Sequence, residues 1–370
     1  MCGSCERYQV SCIYGYQNSP ASEPSVAEPR GPLSELSVDK DTIGDDPAAD
    51  NLPESKERRI LELKLLHHYL VKTSCTLLEP TEQAGKDLWT IVFPGLAFKH
   101  DALLYLIYAI AALHLSRTTP TDGEALDAYR QYLNLALHRH HRDISRLSKA
   151  NADIICLTSS LIRVDAFAQL QERPLDPYTP PSQWLQLTKG AGAAYRAAWN
   201  HIRADDNSIA VRLLKRTPAI LETNQLFGVQ NRQGLLHLLQ QTPVKGTISE
   251  PWDTEIQEAY ESTCSYIGSV QIAIKENETL GEICRRLLLF PILIRSRFIQ
   301  LVGEQQPRAL VILAHFFALI ARFRDLWWIG DTGQREIFGI QSVLPPEWQY
   351  LMSWPLHAMY EKFDMEQKAS

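Results

Sequence analysis

The stretch from Ala102 to Leu115, ALLYLIYAIAALHL, carries no formally charged side chain and is bracketed by Asp101 and Arg117. A helix that is apolar around its whole circumference has no face to offer to water, so it has to be surrounded. It falls short of the ~20 residues that span a bilayer, so a protein interior is expected to surround it. Such an interior needs many partly apolar helices, and the sequence supplies them. Ile60, Leu61, Leu63, Leu65, Leu66, Tyr69 and Leu70 recur near a 3.6 period and predict a helix of about five turns.

The same reading continues to the end of the chain. An apolar segment from Asp87 to Val92 ends at Pro94, and the run from His100 to Ser116 is expected to be the central buried helix. Thr121-Asp122-Gly123-Glu124 reads as a capping box that starts a helix to about Leu147. Periodicity predicts further helices at about 151–172, 182–202, 208–226, 230–241, 252–276, 279–302, 307–328 and 346–361. Pro174, Pro177, Pro180 and Pro181 mark an exposed connection, after which Ser182 is expected to cap the next helix. No segment alternates persuasively as a strand would, and no repeat of fixed period stands out. The expected fold class is all-α, with one large multi-helix domain over residues 56–370.

The first part of the chain behaves differently. Between Ala21 and Glu57 ten acidic residues face three basic ones, a balance of −7 in a chain whose net charge is −6. Pro24, Pro29, Pro32, Pro47 and Pro53 fall in the same stretch, which has almost no large apolar side chains to offset its ordering entropy. Residues 17–55 are therefore expected to be a disordered acidic linker, and carboxylates repel nucleic-acid phosphates. No charged-then-apolar leader precedes residue 20, so no secretory signal is expected.

Three of the seven cysteines stand at Cys2, Cys5 and Cys12, with Tyr14 following. A C-x2-C-x6-C-x-Y run resembles the second half of a fungal Zn2Cys6 binuclear cluster. The resemblance implies zinc, and in the family two metals share six thiolates. Three thiolates cannot close even one tetrahedral site, so residues 1–16 are expected to be a half site, completed only by upstream residues or another chain. The family's DNA-contacting basic residues concentrate in the other half, and Arg7 is the one basic residue between these cysteines. A chain with this half alone is expected not to read DNA by itself, and no DNA-binding residue can be named. The other cysteines, Cys75, Cys156, Cys264 and Cys284, lie singly in apolar patterns and are expected to be small buried hydrophobes.

Two long stretches carry the same resemblance. LELKLLHHYLVKTSCTL from Leu61 and LWTIVFPGLAFKHDALLYLIYAIAALHLS from Leu88 are similar to the opening of the regulatory domain of fungal Zn2Cys6 factors. QWLQLTKGAGAAY from Gln183 resembles that domain's Trp-x2-Leu-x2-Gly segment, and the stretch from Pro307 to Pro355 is most similar to the sterol uptake control branch. This likeness implies a nuclear transcription regulator with a helical effector-sensing domain, a sterol or other hydrophobic ligand, and a homo- or heterodimer. It would regulate RNA polymerase II genes of a lipid, sterol or secondary-metabolite pathway. An alternative is a regulator subunit that acts by pairing with intact relatives.

Several residues invite sharper readings. Trp327, Trp328 and Trp354 are expected to be core anchors, and His100 with Asp101 to begin the buried helix. Gly190-Ala191-Gly192 lies in a helical pattern and suits close helix packing better than a phosphate loop. His138, His140 and His141, flanked by Arg139, Arg142 and Arg146, are expected on a solvated basic face. A terpene cyclase would need an aspartate-rich helix for magnesium. Asp45-Asp46 with Asp50 lies in the acidic linker, and Asp205-Asp206-Asn207 lacks a third carboxylate. No nucleophile elbow, Walker loop or zinc-protease motif occurs, so no catalytic residue is expected.

Overall fold

The computed structural model describes residues 55–77, 87–119, 123–215, 223–240 and 252–363. Cys2, Cys5, Cys12, the acidic linker, Asp45, Asp46, Asp50 and the Thr121 cap lie outside these residues. Every described secondary-structure element is a helix or helical turn. The longer ones are α1 (Lys56–His68), α2 (Phe93–Ala97), α3 (Asp101–Thr118), α4 (Gly123–Ser145), α5 (Ala152–Ala168), α6 (Ser182–Ile202) and α7 (Ile209–Lys215). They continue with α8 (Thr254–Lys275), α9 (Leu280–Leu293), α10 (Ser296–Gly303), α11 (Pro307–Ala321), α12 (Thr332–Val343) and α13 (Ser353–Ala358).

Two helices organise the core. α3 is buried from Ala102 to His114 apart from Leu104, and α11 is buried from Arg308 to Ala321. Nearly all the other buried apolar side chains join them in one cluster, with a small satellite around Cys156, Ala198 and Val211. α3 packs on α4, α5 on α6, and α11 on α12. Burying a Leu, Ile or Phe side chain contributes roughly 1.5–3 kcal/mol, and α3 buries five such residues and α11 seven.

Local signals set the ends. Ser55 accepts from the Arg58 amide to open α1, and Asp253 accepts from the Ile256 amide at 2.8 Å to open α8. Thr279 and Glu282 form a reciprocal capping box on α9. Asn277 and Gln305, both at φ 56, end α8 and α10 in the left-handed region, with the Glu278 and Gln306 amides donating back to Ala273 and Leu301 carbonyls.

The structure departs from the periodicity reading at definite places. Ile60 and Leu63 of α1 are exposed, and its buried face runs through Leu65 to Tyr69. The segment at Leu88–Val92 is a π-helical turn that flows on into α2, so helical structure continues through Pro94 rather than ending there. Ser182 is already helical, Pro181 takes the cap position, and no side chain caps that end. The expected helix at 279–302 is two: Pro291 offers no amide to the preceding turn, and the chain becomes extended at Ile294 and Arg295 before α10. The expected helix at 307–328 stops at Ala321, and tight turns carry Phe323, Leu326 and Ile329. Residues 229–239 form a 3-10 helix, and the C-terminal segment is a 3-10 turn (Pro346–Met352) followed by the short α13.

α12 has no counterpart in the sequence reading. Its seat on α11 is made by Gly333, where an added Cβ would lie 2.6 Å from the Phe317 carbonyl oxygen and the Ala321 nitrogen. Beside that contact α12 buries only Ile337 and Ile340 as large apolar side chains, a stripe too short to mark a helix by its period.

Candidate functional site

The sequence singles out the tryptophans of the last third, and the structure separates their roles. Trp328 is fully buried, donating from Nε1 to the Thr76 carbonyl at 3.3 Å. Trp327 donates to the Thr76 hydroxyl at 2.8 Å and stacks on His114 with ring centroids 4.5 Å apart. These two side chains tie the first helical segment to the last third of the chain. Trp354 differs. It is 37% exposed, which corrects the expectation that it is a core anchor.

Trp354 borders a cleft of about 410 Å³ between the 229–240 segment and the C-terminal turn of helix. His237, Gln240, Tyr350, Leu351, Ser353 and His357 line the rest. The Trp354 indole lies nearly parallel to the His315 ring, at 5.2 Å, and the His237 ring is 6.0 Å from His315. His315 is fully buried on α11; its Nδ1 donates to the Val311 carbonyl at 2.9 Å, and Nε2 has no partner among the described residues. Burial lowers its pKa to about 4, so the ring is neutral at pH 7.

Arg308 holds both walls. Its guanidinium donates to the Leu238 carbonyl on one side of the cleft and lies 5.0 Å from the Trp348 ring on the other, with Trp252 at 5.2 Å. A cation between two aromatic rings is held by their quadrupoles. The wall at 229–240 is further tied to α8 by the Arg232–Glu261 ion pair at 2.9 Å. Neighbouring polar groups and a ring face make the cleft suited to a ligand that is mostly apolar with one or two polar atoms.

Other expected residues fall elsewhere. His100 precedes α3 as its cap and Asp101 begins it, as expected. Gly192 lies inside α6 against Ile292, whose side-chain carbons would be 2.8–2.9 Å from an added Cβ, so close packing accounts for the small residues. His138 and His141 are exposed, but His140 is buried, with Nε2 3.2 Å from the Ser159 hydroxyl and a pKa lowered to about 4 by burial. The expected solvated face thus omits His140, because that position turns toward α5. Cys156, Cys264 and Cys284 are buried as expected, and burial pushes the Cys156 and Cys264 thiols up to about 12. Cys75 is exposed, against expectation. Asp205 is engaged by Lys149 at 2.9 Å and by the Asn207 amide, a local structural role.

Among the described residues no three His, Cys, Asp or Glu side chains gather as metal ligands. As a donor set, Cys2, Cys5 and Cys12 leave a tetrahedral zinc one ligand short, so they do not fit a closed structural site by themselves. No described helix is long and apolar enough to cross a membrane.

Sequence comparison adds an independent line. Residues 64–260 match the family model described as "Fungal specific transcription factor domain". A Zn(2)-C6 fungal-type transcription factor, afumD, of Aspergillus fumigatus is 31% identical over 86% of the chain and 79% of its own length. A Zn(2)-C6 fungal-type transcription factor of Gibberella zeae is 28% identical over 80% of the chain and 61% of its own length. Sterol uptake control protein 2 of Saccharomyces cerevisiae is 23% identical over 78% of the chain, a match that spans 30% of that protein.

Proposed function

Because the chain belongs to the fungal specific transcription factor domain family, whose matched relatives are Zn(2)-C6 transcription factors, we propose that residues 56–370 are the effector-sensing part of a transcription regulator. The cleft beside Trp354 receives the effector. The observation that carries this reading is a half-exposed Trp354 ring lying over the buried, neutral His315 in a cleft whose two walls are remote in sequence. A ligand that touches both walls binds one arrangement of them better than another, and that difference is all it needs to shift a conformational equilibrium. The ring face suits a flat apolar body, and His237, Gln240, Ser353 and His357 offer partners for a polar end. Sterols combine those features, and the match to sterol uptake control proteins makes them the first class to test.

The test is thermal unfolding of the full chain with a sterol panel, beside Trp354→Ala. At 100 times Kd a single ligand adds about 2.7 kcal/mol of stability, an upward shift of a few degrees in Tm. Loss of that shift in Trp354→Ala supports the cleft. An unchanged Tm with every sterol at saturation refutes sterol sensing, and an unchanged shift in Trp354→Ala moves the site elsewhere.

On this reading the regulator works in the nucleus as a homo- or heterodimer, with residues 1–16 contributing to a zinc cluster and residues 17–55 serving as linker. It controls genes of a lipid, sterol or secondary-metabolite pathway. The −7 balance of residues 21–57 and the lone Arg7 between the N-terminal cysteines favour a second reading, in which this polypeptide modulates intact relatives rather than binding DNA itself. A mobility-shift assay of the purified chain separates the two. A sequence-specific complex supports the first, and no complex, together with co-purification of an intact relative, supports the second.

A further inference from the structure

His315 holds a hydrogen-bond acceptor that no described residue uses. The ring is fully buried in the middle of α11, and its Nδ1 lies 2.9 Å from the Val311 carbonyl one turn back. A carbonyl can only accept, so Nδ1 carries the proton, and in a neutral imidazole the other nitrogen then has a lone pair and no hydrogen. Burial lowers the pKa to about 4, which keeps the ring neutral at pH 7. Nε2 is therefore an acceptor, set at the ring edge farthest from the α11 backbone. Two rings that pack on His315, Trp354 at 5.2 Å and His237 at 6.0 Å between centroids, both line the cleft of about 410 Å³. Trp354 lies nearly parallel to the imidazole and is 37% exposed on α13, which is six residues long. Rotation of that one side chain toward solvent opens a way from the cleft to His315.

We propose that His315 Nε2 is the buried polar anchor of the Trp354 cleft and that it selects an apolar alcohol, whose hydroxyl donates to it while the indole covers the apolar body. On the reading of that cleft as the effector site, on which this rests, the ligand's buried polar atom has to be a donor. A ketone or an ester turns lone pairs toward a lone pair, and a carboxylate adds the cost of burying a charge. A methyl ether of the same shape leaves Nε2 unpartnered. Gln240, Ser353 and His357 are exposed, so their bonds to a ligand replace bonds to water and discriminate less.

Calorimetry and thermal unfolding of the full chain at pH 7 test the anchor. The probes are ergosterol, its 3-ketone and its 3-methyl ether, with farnesol and farnesyl methyl ether as a flexible pair. An alcohol is expected to bind about 10-fold more tightly than its ether, with the ketone weaker than the ether. His315→Phe keeps a ring beneath Trp354 and removes the acceptor, so the alcohol should fall to the affinity of its ether. His315→Gln puts an amide near the same point, able to accept or to donate, so the ketone should gain on the alcohol. Each comparison is a ratio between ligands within one chain, which general damage to the fold does not change. Where neither variant folds, the ligand series on the parent chain decides. Equal binding of alcohol, ether and ketone, or discrimination that survives His315→Phe, overturns the anchor and leaves the effector cleft standing. No binding by any of the five overturns the cleft as well.

Discussion

Mild acid should loosen this protein through three histidines. His114, His140 and His315 are buried, and burial lowers each pKa from 6.5 to about 4. His114 Nδ1 shares a hydrogen bond with the Thr73 hydroxyl at 3.0 Å, His140 Nε2 shares one with the Ser159 hydroxyl, and His315 Nδ1 donates to the Val311 carbonyl. His140 Nδ1 and His315 Nε2 have no partner among the described residues, so a second proton there would bury a donor without an acceptor. Between pH 6.5 and 4 the unfolded chain therefore binds more protons at these sites than the folded one, and stability falls as pH falls. From pH 7 to 5 each histidine contributes a loss of slightly under about 2 kcal/mol, which comes to about 5 kcal/mol for the three. Asp165 works in the opposite sense. It accepts from Tyr129 at 2.8 Å and Gln169 at 2.7 Å, and burial raises its pKa to about 6. The folded chain takes up that proton first, which returns about 1 kcal/mol over the same range. The net loss is about 4 kcal/mol, a large share of the ~5–15 kcal/mol by which domains are stable. Urea unfolding at pH 7 and pH 5, followed by circular dichroism, measures it. His140→Gln should reduce the difference between the two pH values to about 2 kcal/mol, and Asp165→Asn should raise it to about 5 kcal/mol. A difference below about 1 kcal/mol in the parent chain, or one that neither variant changes, would refute the assignment of these groups as buried neutral histidines and a raised aspartate.

Three structural predictions follow from close contacts. Gly192→Ala should destabilise by about 1–3 kcal/mol in urea unfolding, and Ile292→Ala in the same chain should recover part of that, because the clash is with a side chain. Gly333→Ala should cost at least as much with no rescue by truncating neighbouring side chains, since its Cβ would meet the backbone of α11. Glu336 is buried and accepts from Arg173 Nε and, at 3.0 Å, Nη2, and from the Tyr178 hydroxyl at 3.1 Å. Glu336→Gln leaves the Arg173 charge unpaired and should lose about 3–5 kcal/mol, with Tm as the readout.

Periodic apolar residues and caps are local properties, so the helical character of this chain, the central place of α3 and the family resemblance can all be read from residue order. Thr279 and Glu282 form a capping box at the Thr121–Glu124 spacing, a local signal that periodicity alone does not pick out. The limits of legibility follow from what periodicity measures. It registers sustained stripes of large side chains and misses α12, which offers only Ile337 and Ile340 beside the close approach at Gly333. It groups Trp327, Trp328 and Trp354 by residue type, although one is fully buried and another half-exposed. It places His138, His140 and His141 together as charged neighbours, whereas the packing of α4 on α5 withdraws His140 alone. Only the tertiary structure brings His237 to Trp354 across more than a hundred residues and sets both rings on His315. The cleft exists because elements remote in sequence pack side by side, and the distance between its walls is set by that packing rather than by any local pattern.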